Sequence, residues 1–294
     1  MFAIVGIVVV FGAIVAGYLM EKGNLAVLVQ PAELIIIGGA ALGTLFIANP
    51  MHIIKAMVSG VLGVLKPSPF EKKRYLSTLQ MMFEFLNKVR KEGLISVEND
   101  VEKPKESAIF KKYPEFLKDH HVQDFVCDTL RMAITGGVEP FDMDQMMERD
   151  MEVHHHGAAM PIASLSTVAD ALPGLGIVAA VLGVVITMGS IGGPPEEVGH
   201  KVAAALVGTF LGILLCYGLV GPLAANMTKG ADEHNDYLQM LRVLMLSFLK
   251  GNAPIIAIEM ARRAIPAHVR PSFAEMEKAC KGGGSAAPGA AAAA

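Results

Sequence analysis

The sequence predicts an all-α integral membrane protein with four transmembrane helices. A helical cytoplasmic domain lies between the second and third, and a helical cytoplasmic segment follows the fourth. Of its 294 residues, 53% are hydrophobic and only 18% are charged, whereas soluble domains carry about 25% charged residues. The apolar residues gather in long runs, and the charged residues fall between these runs at helical spacing.

The four predicted spans follow from the lengths of the apolar runs. A helix needs about 20 apolar residues to cross the hydrocarbon core, and runs of this kind cover residues 2–19, 171–191 and 202–225. A shorter run, 34–48, needs Pro31 and Ala32 or a thinned bilayer to span. The first run has no cationic start and no small-residue cleavage site, so we expect no cleaved signal peptide.

The last two spans are joined by Gly-Gly-Pro-Pro-Glu-Glu at residues 192–197, which predicts a tight turn and an antiparallel hairpin. Lysine and arginine set the orientation: 15 lie between Met51 and Ile162, eight follow Met227, and the short loops hold only Lys22 and Lys201. The positive-inside rule therefore places both long segments and both termini in the cytoplasm.

This reading divides the chain into five parts. Residues 1–50 hold the first two spans, 51–165 a cytoplasmic helical domain, 166–228 the hairpin of spans three and four, 229–281 cytoplasmic helices, and 282–294 a disordered tail of Gly, Ser, Ala and Pro. Apolar residues at helical spacing predict amphipathic cytoplasmic helices over residues 75–89, 122–134, 141–153 and 237–249.

Composition excludes several functions. The net charge of −3 does not favour nucleic-acid binding, and three scattered cysteines make neither a disulfide framework nor a cysteine-based metal site. Consecutive histidines cannot share one helix face, so His154, His155 and His156 predict a solvated stretch with no metal. No catalytic or cofactor-binding residues are expected.

The hairpin of spans three and four differs from a plain anchor. Pro173 and Pro222 each remove a backbone hydrogen bond, which either shapes a watery path or only kinks the helix. Small residues allow close helix approach, within one chain or between copies. These are Gly174, Gly176, Ala179, Ala180 and Gly183 in the third span, and Gly208 and Gly212 in the fourth.

Polar groups in the hairpin are sparse. Thr187 and Thr209 lie inside the spans, and a membrane threonine ordinarily bonds to the carbonyl one turn earlier, which for Thr209 is Ala205. Asp170, at the mouth of the third span, is expected to cap the helix or meet water. The predicted spans contain no Asp, Glu, Lys, Arg or His, so any ion path needs a titratable group from another chain.

With these residues in view, the sequence resembles the MotA family of bacterial flagellar stator subunits, within the MotA/TolQ/ExbB group. The resemblance reaches from the first residue to about Pro271. It rests on motifs in order: Gln30-Pro31-Ala32-Glu33; Asp170 and Pro173 ahead of Gly176-Ile177-Val178-Ala179-Ala180-Val181; Ala205-Leu206-Val207-Gly208-Thr209-Phe210-Leu211-Gly212 and then Pro222; and Arg270-Pro271-Ser272-Phe273.

The resemblance implies a non-enzymatic motor subunit. It implies five copies around two copies of MotB, a single-span protein that supplies the ion-binding carboxylate and a peptidoglycan anchor. Pro173 and Pro222 match the family prolines that shape the ion path, and Thr209 matches the hydroxyl facing the MotB carboxylate. With Asp170 and Ala180, these are the candidate ion-path residues.

The resemblance also implies a cytoplasmic contact with FliG of the rotor. Arg90 and Glu98 match the rotor-facing charges of the family, although the sequence alone reads them as solvated surface. Asp150 stands where a family glutamate is expected, so a contact there keeps its charge and loses reach.

The expected transported ion is the proton, without a cofactor. Sodium-using relatives carry threonine at the position of Ala180, and Ala180 removes that oxygen. Two alternatives remain open at this point: a TolQ/ExbB-type energiser of envelope transport, and a passive membrane scaffold. Four spans with a cytoplasmic start disfavour the energiser, whose relatives usually have three spans.

Overall fold

The computed structural model describes residues 2–189 and 191–282, and all regular secondary structure in these ranges is helical. In chain order the α-helices are α1 (Phe2–Met20), α2 (Leu25–Leu28), α3 (Pro31–Ala48), α4 (Met51–Val64), α5 (Lys72–Glu92), α6 (Glu98–Glu102), α7 (Pro114–Lys118), α8 (His120–Thr135), α9 (Pro140–Met188), α10 (Pro195–Leu215), α11 (Gly221–Leu249), α12 (Pro254–Ala264) and α13 (Phe273–Lys281).

The chain forms two compact units. The membrane unit comprises the chain up to Pro67 together with His156–Ala231, and the cytoplasmic unit comprises Ser68–His155 together with the chain from Asp232. These bounds rest on contacts within each unit, whereas the predicted boundaries at residues 50, 165 and 228 concern the membrane surface. The assignment of segments to the two sides of the membrane therefore stays a prediction, and the predicted tail beyond Gly282 lies outside the described residues.

Four helical stretches of the described chain are long and apolar enough to cross a membrane: Phe2–Met20, Leu25–Ala48, Pro140–Met188 and Pro195–Leu249. They overlap all four predicted spans, which confirms the predicted fold class, although the third was expected to continue to Ile191. The helices of the hairpin end at Met188 and begin again at Pro195, so the break between them covers the first half of the predicted turn and its last three residues belong to α10.

The third span is part of a much longer helix than the sequence suggests. The predicted amphipathic helix at 141–153 and the span from residue 171 are one continuous 49-residue helix, α9, with Pro161 and Pro173 inside it. The residues between the two predicted segments are rich in alanine, which favours helix. A proline removes one hydrogen bond without ending a helix whose other bonds and contacts remain.

The sequence patterns do not predict helix α4. Its apolar face buries Ile53, Ile54 and Met57, and two of these pack with Leu45 and Leu165 in a small core of the membrane unit. At 14 residues, α4 is shorter than a span, and its lysine and histidine mask the apolar pattern in a search for long runs.

The second span begins earlier than predicted, and this corrects one conclusion. Helix α3 starts at Pro31 in the first helical turn, a position that suits proline because its missing N–H needs no partner there. Glu33 consequently lies inside α3, where only 6% of it is exposed. The prediction that no ionisable residue lies inside a span is therefore wrong.

The cytoplasmic unit has a larger core, formed around α5, which contributes nine buried residues. Its largest fully buried side chains include Tyr75, Phe85, Phe110 and Tyr237. The amphipathic helices predicted at 75–89 and 122–134 lie inside α5 and α8, and the one at 237–249 ends α11. Helices α12 and α13 both pack on α5.

Candidate functional site

Within the membrane unit, α9 and α10 approach each other through glycines. A Cβ atom at Gly176 would lie 2.8 Å from the carbonyl oxygen of Gly208, and one at Gly212 would lie 2.5 Å from that of Leu172. A Cβ at Gly183 would lie 2.7 Å from the Cβ of Ala205. The sequence left open whether small residues pack within one chain or between copies, and these contacts are within the chain.

Two candidate ion-path residues lie at this crossing. The Cα of Thr209 is 3.3 Å from the position of a Cβ on Gly176, and the backbone nitrogen of Ala180 is 3.3 Å from that of a Cβ on Gly208. Ala180 of α9 and Thr209 of α10 therefore both adjoin this close helix contact, where a larger side chain in place of either glycine would press on their backbones.

Glu33 reaches the same place from α3. Its Oε2 atom lies 2.6 Å from the position of a Cβ on Gly208, and this buried oxygen has no hydrogen-bond partner in the described chain. Buried polar atoms are nearly always paired, because burial removes water as a partner. A proline at the first helical position is the signal that could have revealed this glutamate in the sequence.

The two threonines of the hairpin differ. The hydroxyl of Thr187 donates to the carbonyl of Gly183 at 2.8 Å, as expected for a membrane threonine. Thr209 makes no such bond to Ala205, and its hydroxyl has no partner among the residues that the structure describes. The prediction of a bond from Thr209 to Ala205 is wrong, and its hydroxyl is available to another group.

The remaining candidate positions differ in their relation to the crossing. Pro173 follows Leu172, whose carbonyl meets Gly212, so this proline directly adjoins the close contact. Asp170 is exposed in the middle of α9, so it does not cap a helix. Among the described residues no hydrogen bond joins Asp170, Pro173 or Pro222 to one another.

Pro222 follows a π-helical turn at Cys216–Val220, where the N–H of Gly221 donates to the carbonyl of Cys216. The wider turn gives room for a ring that clashes with the preceding turn of an α-helix. The sequence predicts a local irregularity at Pro222 and does not specify its form, since the same proline could also produce a plain kink.

In the cytoplasmic unit, Arg90, Glu98 and Asp150 are exposed, and none of them forms an ion pair within the described chain. Their neighbours differ: Lys88 bonds Asp100 at 2.7 Å, and Lys112 bonds Glu84 at 2.8 Å. The three candidate contact residues thus keep their charges free for another molecule, while adjacent charges are used internally.

The segment that presents Arg90 and Glu98 is held in place by specific contacts. Helix α5 ends at Gly93, whose φ of +86° favours glycine, and a short 3₁₀ turn leads into α6. The Lys88–Asp100 pair joins α5 to α6, and the Arg131 guanidinium of α8 donates to the carbonyl of Val101 at 3.1 Å.

The three consecutive histidines are not a uniformly solvated stretch, which corrects another prediction. His156 is exposed, but His154 and His155 are partly buried. The ring of His154 stacks on that of His121 with 3.5 Å between centroids and meets that of His234 edge-on at 4.7 Å. Sequence reasoning missed this cluster because its other two members lie on different helices.

Comparisons with known proteins agree with this architecture. A sequence model of the motility protein A N-terminal region matches residues 4–93, and one of the MotA/TolQ/ExbB proton channel family matches residues 117–240. Motility protein A of Salmonella typhimurium is 40% identical over 278 residues, which cover 95% of this chain and 94% of that one.

Two solved structures have a similar fold. The C. jejuni MotAB structure aligns with a TM-score of 0.76 and 18% identity, and covers 92% of this chain and 98% of its own. The flagellar MotAB stator complex of Bacillus subtilis aligns with a TM-score of 0.74 and 23% identity, over 90% of this chain and 96% of its own. At these identities the likeness concerns the fold.

Proposed function

Because the chain belongs to the motility protein A family, a flagellar stator family of proton channel type, we propose that its α9–α10 hairpin lines the proton path. Thr209, Ala180 and Pro173 belong to this path at the glycine crossing, with Asp170 and Pro222 on the side of the crossing away from the α9–α10 turn. A single-span partner of the MotB type supplies the carboxylate that takes up the proton. Five copies of the chain surround two copies of that partner.

The observation that carries this proposal is the unpaired hydroxyl of Thr209. Its helix offers a carbonyl one turn earlier, and Thr187 uses the corresponding bond at 2.8 Å. Thr209 is partly buried, and its free hydroxyl can bond a side chain from a second molecule or water, a role that Thr187 does not have.

A matched pair of substitutions tests the path. Thr209→Val and Thr187→Val keep the side-chain shape and remove one hydroxyl each. In cells that also express the partner, we expect Thr209→Val to reduce swimming speed and proton flux several-fold, and Thr187→Val to leave both near wild type. Equal effects, at equal membrane levels, would remove Thr209 from the path.

The prolines test the hairpin against a passive scaffold. Pro173→Ala and Pro222→Ala each restore a backbone donor, and we expect both to impair motility without loss of the protein from the membrane. Normal motility and flux in both variants would favour the scaffold. For the ion, swimming should follow the proton gradient and persist without sodium, because Ala180 offers no side-chain oxygen.

We further propose that Arg90, Glu98 and Asp150 contact the rotor protein FliG. Their lack of internal ion pairs supports this role, since adjacent charges are paired within the chain. Arg90→Glu should reduce torque and regain it with an opposite reversal on the rotor. Lys105→Glu reverses another exposed cation of the same unit and should neither reduce torque nor respond to that rotor change.

The proposed orientation has both termini and the cytoplasmic unit inside the cell and the α9–α10 turn outside. The distribution of lysine and arginine supports it. A cysteine introduced at Gly193 should react with a membrane-impermeant thiol reagent in intact cells, while one at the exposed Lys105 should react only after lysis. The reverse pattern would overturn the orientation.

A further inference from the structure

Three histidines from three helices of the cytoplasmic unit converge on one point. His121 comes from the first turn of α8, His154 from α9 and His234 from α11. One ring nitrogen of each lies within 4.8 Å of the corresponding nitrogens of the other two. All three residues are partly buried, and nothing in the proposed ion path or rotor contact uses them.

Two ring nitrogens of this histidine cluster have no hydrogen-bond partner in the described chain. Nδ1 of His121 and Nε2 of His234 are buried and form no hydrogen bond with the described chain. Leaving a buried polar nitrogen unpaired destabilises the fold, and an aromatic hydrocarbon ring would fill the same space without that cost. Three imidazoles whose nitrogens approach one another are therefore poorly explained as packing alone.

The electrostatic surroundings favour neutral imidazoles with free lone pairs. Burial lowers the pKa of His234 to about 4 and also lowers the pKa of His154. The nearby Asp119 carboxylate opposes this effect at both rings, but it already accepts a hydrogen bond from Arg74 at 2.6 Å. Metal-binding histidines must be neutral, and burial favours that form at His154 and His234.

We propose that His121, His154 and His234 bind one divalent transition-metal ion, with Zn²⁺ the best match to three imidazoles and one open position. Zn–N bonds of about 2.0–2.1 Å place tetrahedral ligand nitrogens about 3.4 Å apart. The three nitrogens lie within 4.8 Å of one another, so each pair needs to move closer by less than 1.5 Å to reach the tetrahedral spacing. The stacked rings of His121 and His154 tilt apart when the metal enters.

The bound metal would join α8, α9 and α11 within the cytoplasmic unit. Residues so far apart in sequence form this site only in the folded chain, so Zn²⁺ binds the native state and stabilises it. Asp119, whose two oxygens accept from Arg74 and from the N–H of Val122, adds a negative charge near the site.

The test uses the full-length chain in detergent, with no polyhistidine tag, stripped with a chelator and then dialysed. Zinc chloride is titrated by calorimetry, and bound zinc is measured by elemental analysis. We expect one zinc per chain and a melting temperature that rises with zinc concentration. Cobalt chloride on the same wild-type protein should give the intense visible absorption of a tetrahedral site.

Neighbouring histidines provide matched controls. His154→Gln should weaken zinc binding by more than the roughly 10–100-fold that loss of an outer-shell partner causes, and His156→Gln, two residues away and exposed, should bind as wild type does. Wild-type protein with no bound zinc and no cobalt absorption would overturn the proposal. Equal weakening of zinc binding by the two substitutions would also overturn it. The cobalt spectrum is measured on wild-type protein, so the test still holds if a variant fails to fold.

Discussion

The membrane unit brings helices together where side chains are missing, whereas the cytoplasmic unit does so by filling space with large ones. In the first, Gly176, Gly208 and Gly212 let the α9 and α10 backbones touch. In the second, Tyr75, Phe85 and Tyr237 are essentially unexposed. Lipid offers little hydrophobic gain for helix contact, so close backbone approach is needed there, while water rewards buried apolar area.

The two units also differ in whether a buried carboxylate has a partner within the chain. Glu33 is 6% exposed and its buried oxygen has no partner, whereas Asp100 is 9% exposed and bonds Lys88 at 2.7 Å. An internally satisfied acid serves the fold, and an unsatisfied one is free for a group from outside the chain. The buried acid of the cytoplasmic unit is therefore satisfied within the chain, and the buried acid that meets the hairpin from α3 is not.

The largest expected effect is in the cytoplasmic core. Phe85→Ala removes a fully buried ring that stacks on Phe110 and should destabilise that unit by about 3–5 kcal/mol. The thiol of Cys127 is buried in the same core and should then react faster with a thiol reagent. The rate of this labelling is measured by mass spectrometry. The control Phe273→Ala, at a half-exposed ring, should change little.

The next largest effect is a loss of stability that we expect in the membrane unit alone. In Gly212→Ala the new Cβ meets backbone atoms that cannot give way, so we expect a loss of about 1–3 kcal/mol. The buried thiol of Cys216, which packs with Leu172, should become reactive while Cys127 stays protected. Gly174→Ala has open space around it and serves as the control. Exposure of Cys127 as well would show that the units do not open separately.

A paired acid should depend on its partner. Lys88→Met leaves the nearly buried Asp100 without its cation, and we expect a loss of about 1–3 kcal/mol, measured by thermal unfolding. The double variant with Asp100→Asn should recover much of this loss, because the uncompensated charge is then gone. A double variant as unstable as the single one would mean that Asp100 is not restrained by Lys88.

The unpaired acid should tolerate neutralisation. Glu33→Gln keeps the shape of the side chain and loses no hydrogen bond within the chain, so its stability should stay within about 1 kcal/mol of wild type or rise. The same thermal assay applies. A loss as large as that of Lys88→Met would reveal a partner for Glu33 and would end the contrast between the two units.

The smallest expected effect concerns the stability of the fold at low pH. Hydrogen bonds from Arg262 lower the pKa of Glu259 from 4.5 to about 2. Burial opposes this shift, and a hydrogen bond from Arg263 adds to it. A lowered pKa stabilises the fold above pH 4.5, and this stabilisation is lost as the pH falls toward 2. Glu259→Gln should therefore be less stable at neutral pH, by under about 1 kcal/mol for a pair this near the surface, and should show a shallower acid dependence.

Local sequence patterns predicted much of the fold. Long apolar runs predicted four spans, and apolar residues at helical spacing predicted parts of α5, α8 and α11. The same reasoning missed α4, whose His52 and Lys55 interrupt a short apolar pattern. It also divided α9, because the polar residues near His154 looked like the end of a helix when their contacts were unknown.

The candidate site was less predictable. The resemblance pointed to Thr209 and Ala180, and the structure places both at the glycine crossing. Nothing local distinguishes Thr209 from Thr187, since each has a carbonyl one turn earlier and only one of them bonds to it. The burial of Glu33 depends on α10, which lies far along the chain.

By itself, the sequence determined which segments are apolar enough to span a membrane and which helices are amphipathic, because hydropathy and periodicity are properties of neighbouring residues. The tertiary structure alone decided which glycines meet a backbone, which buried acid lacks a partner, and that His121, His154 and His234 share one point. Those facts depend on the packing of distant helices, which no short stretch of sequence specifies.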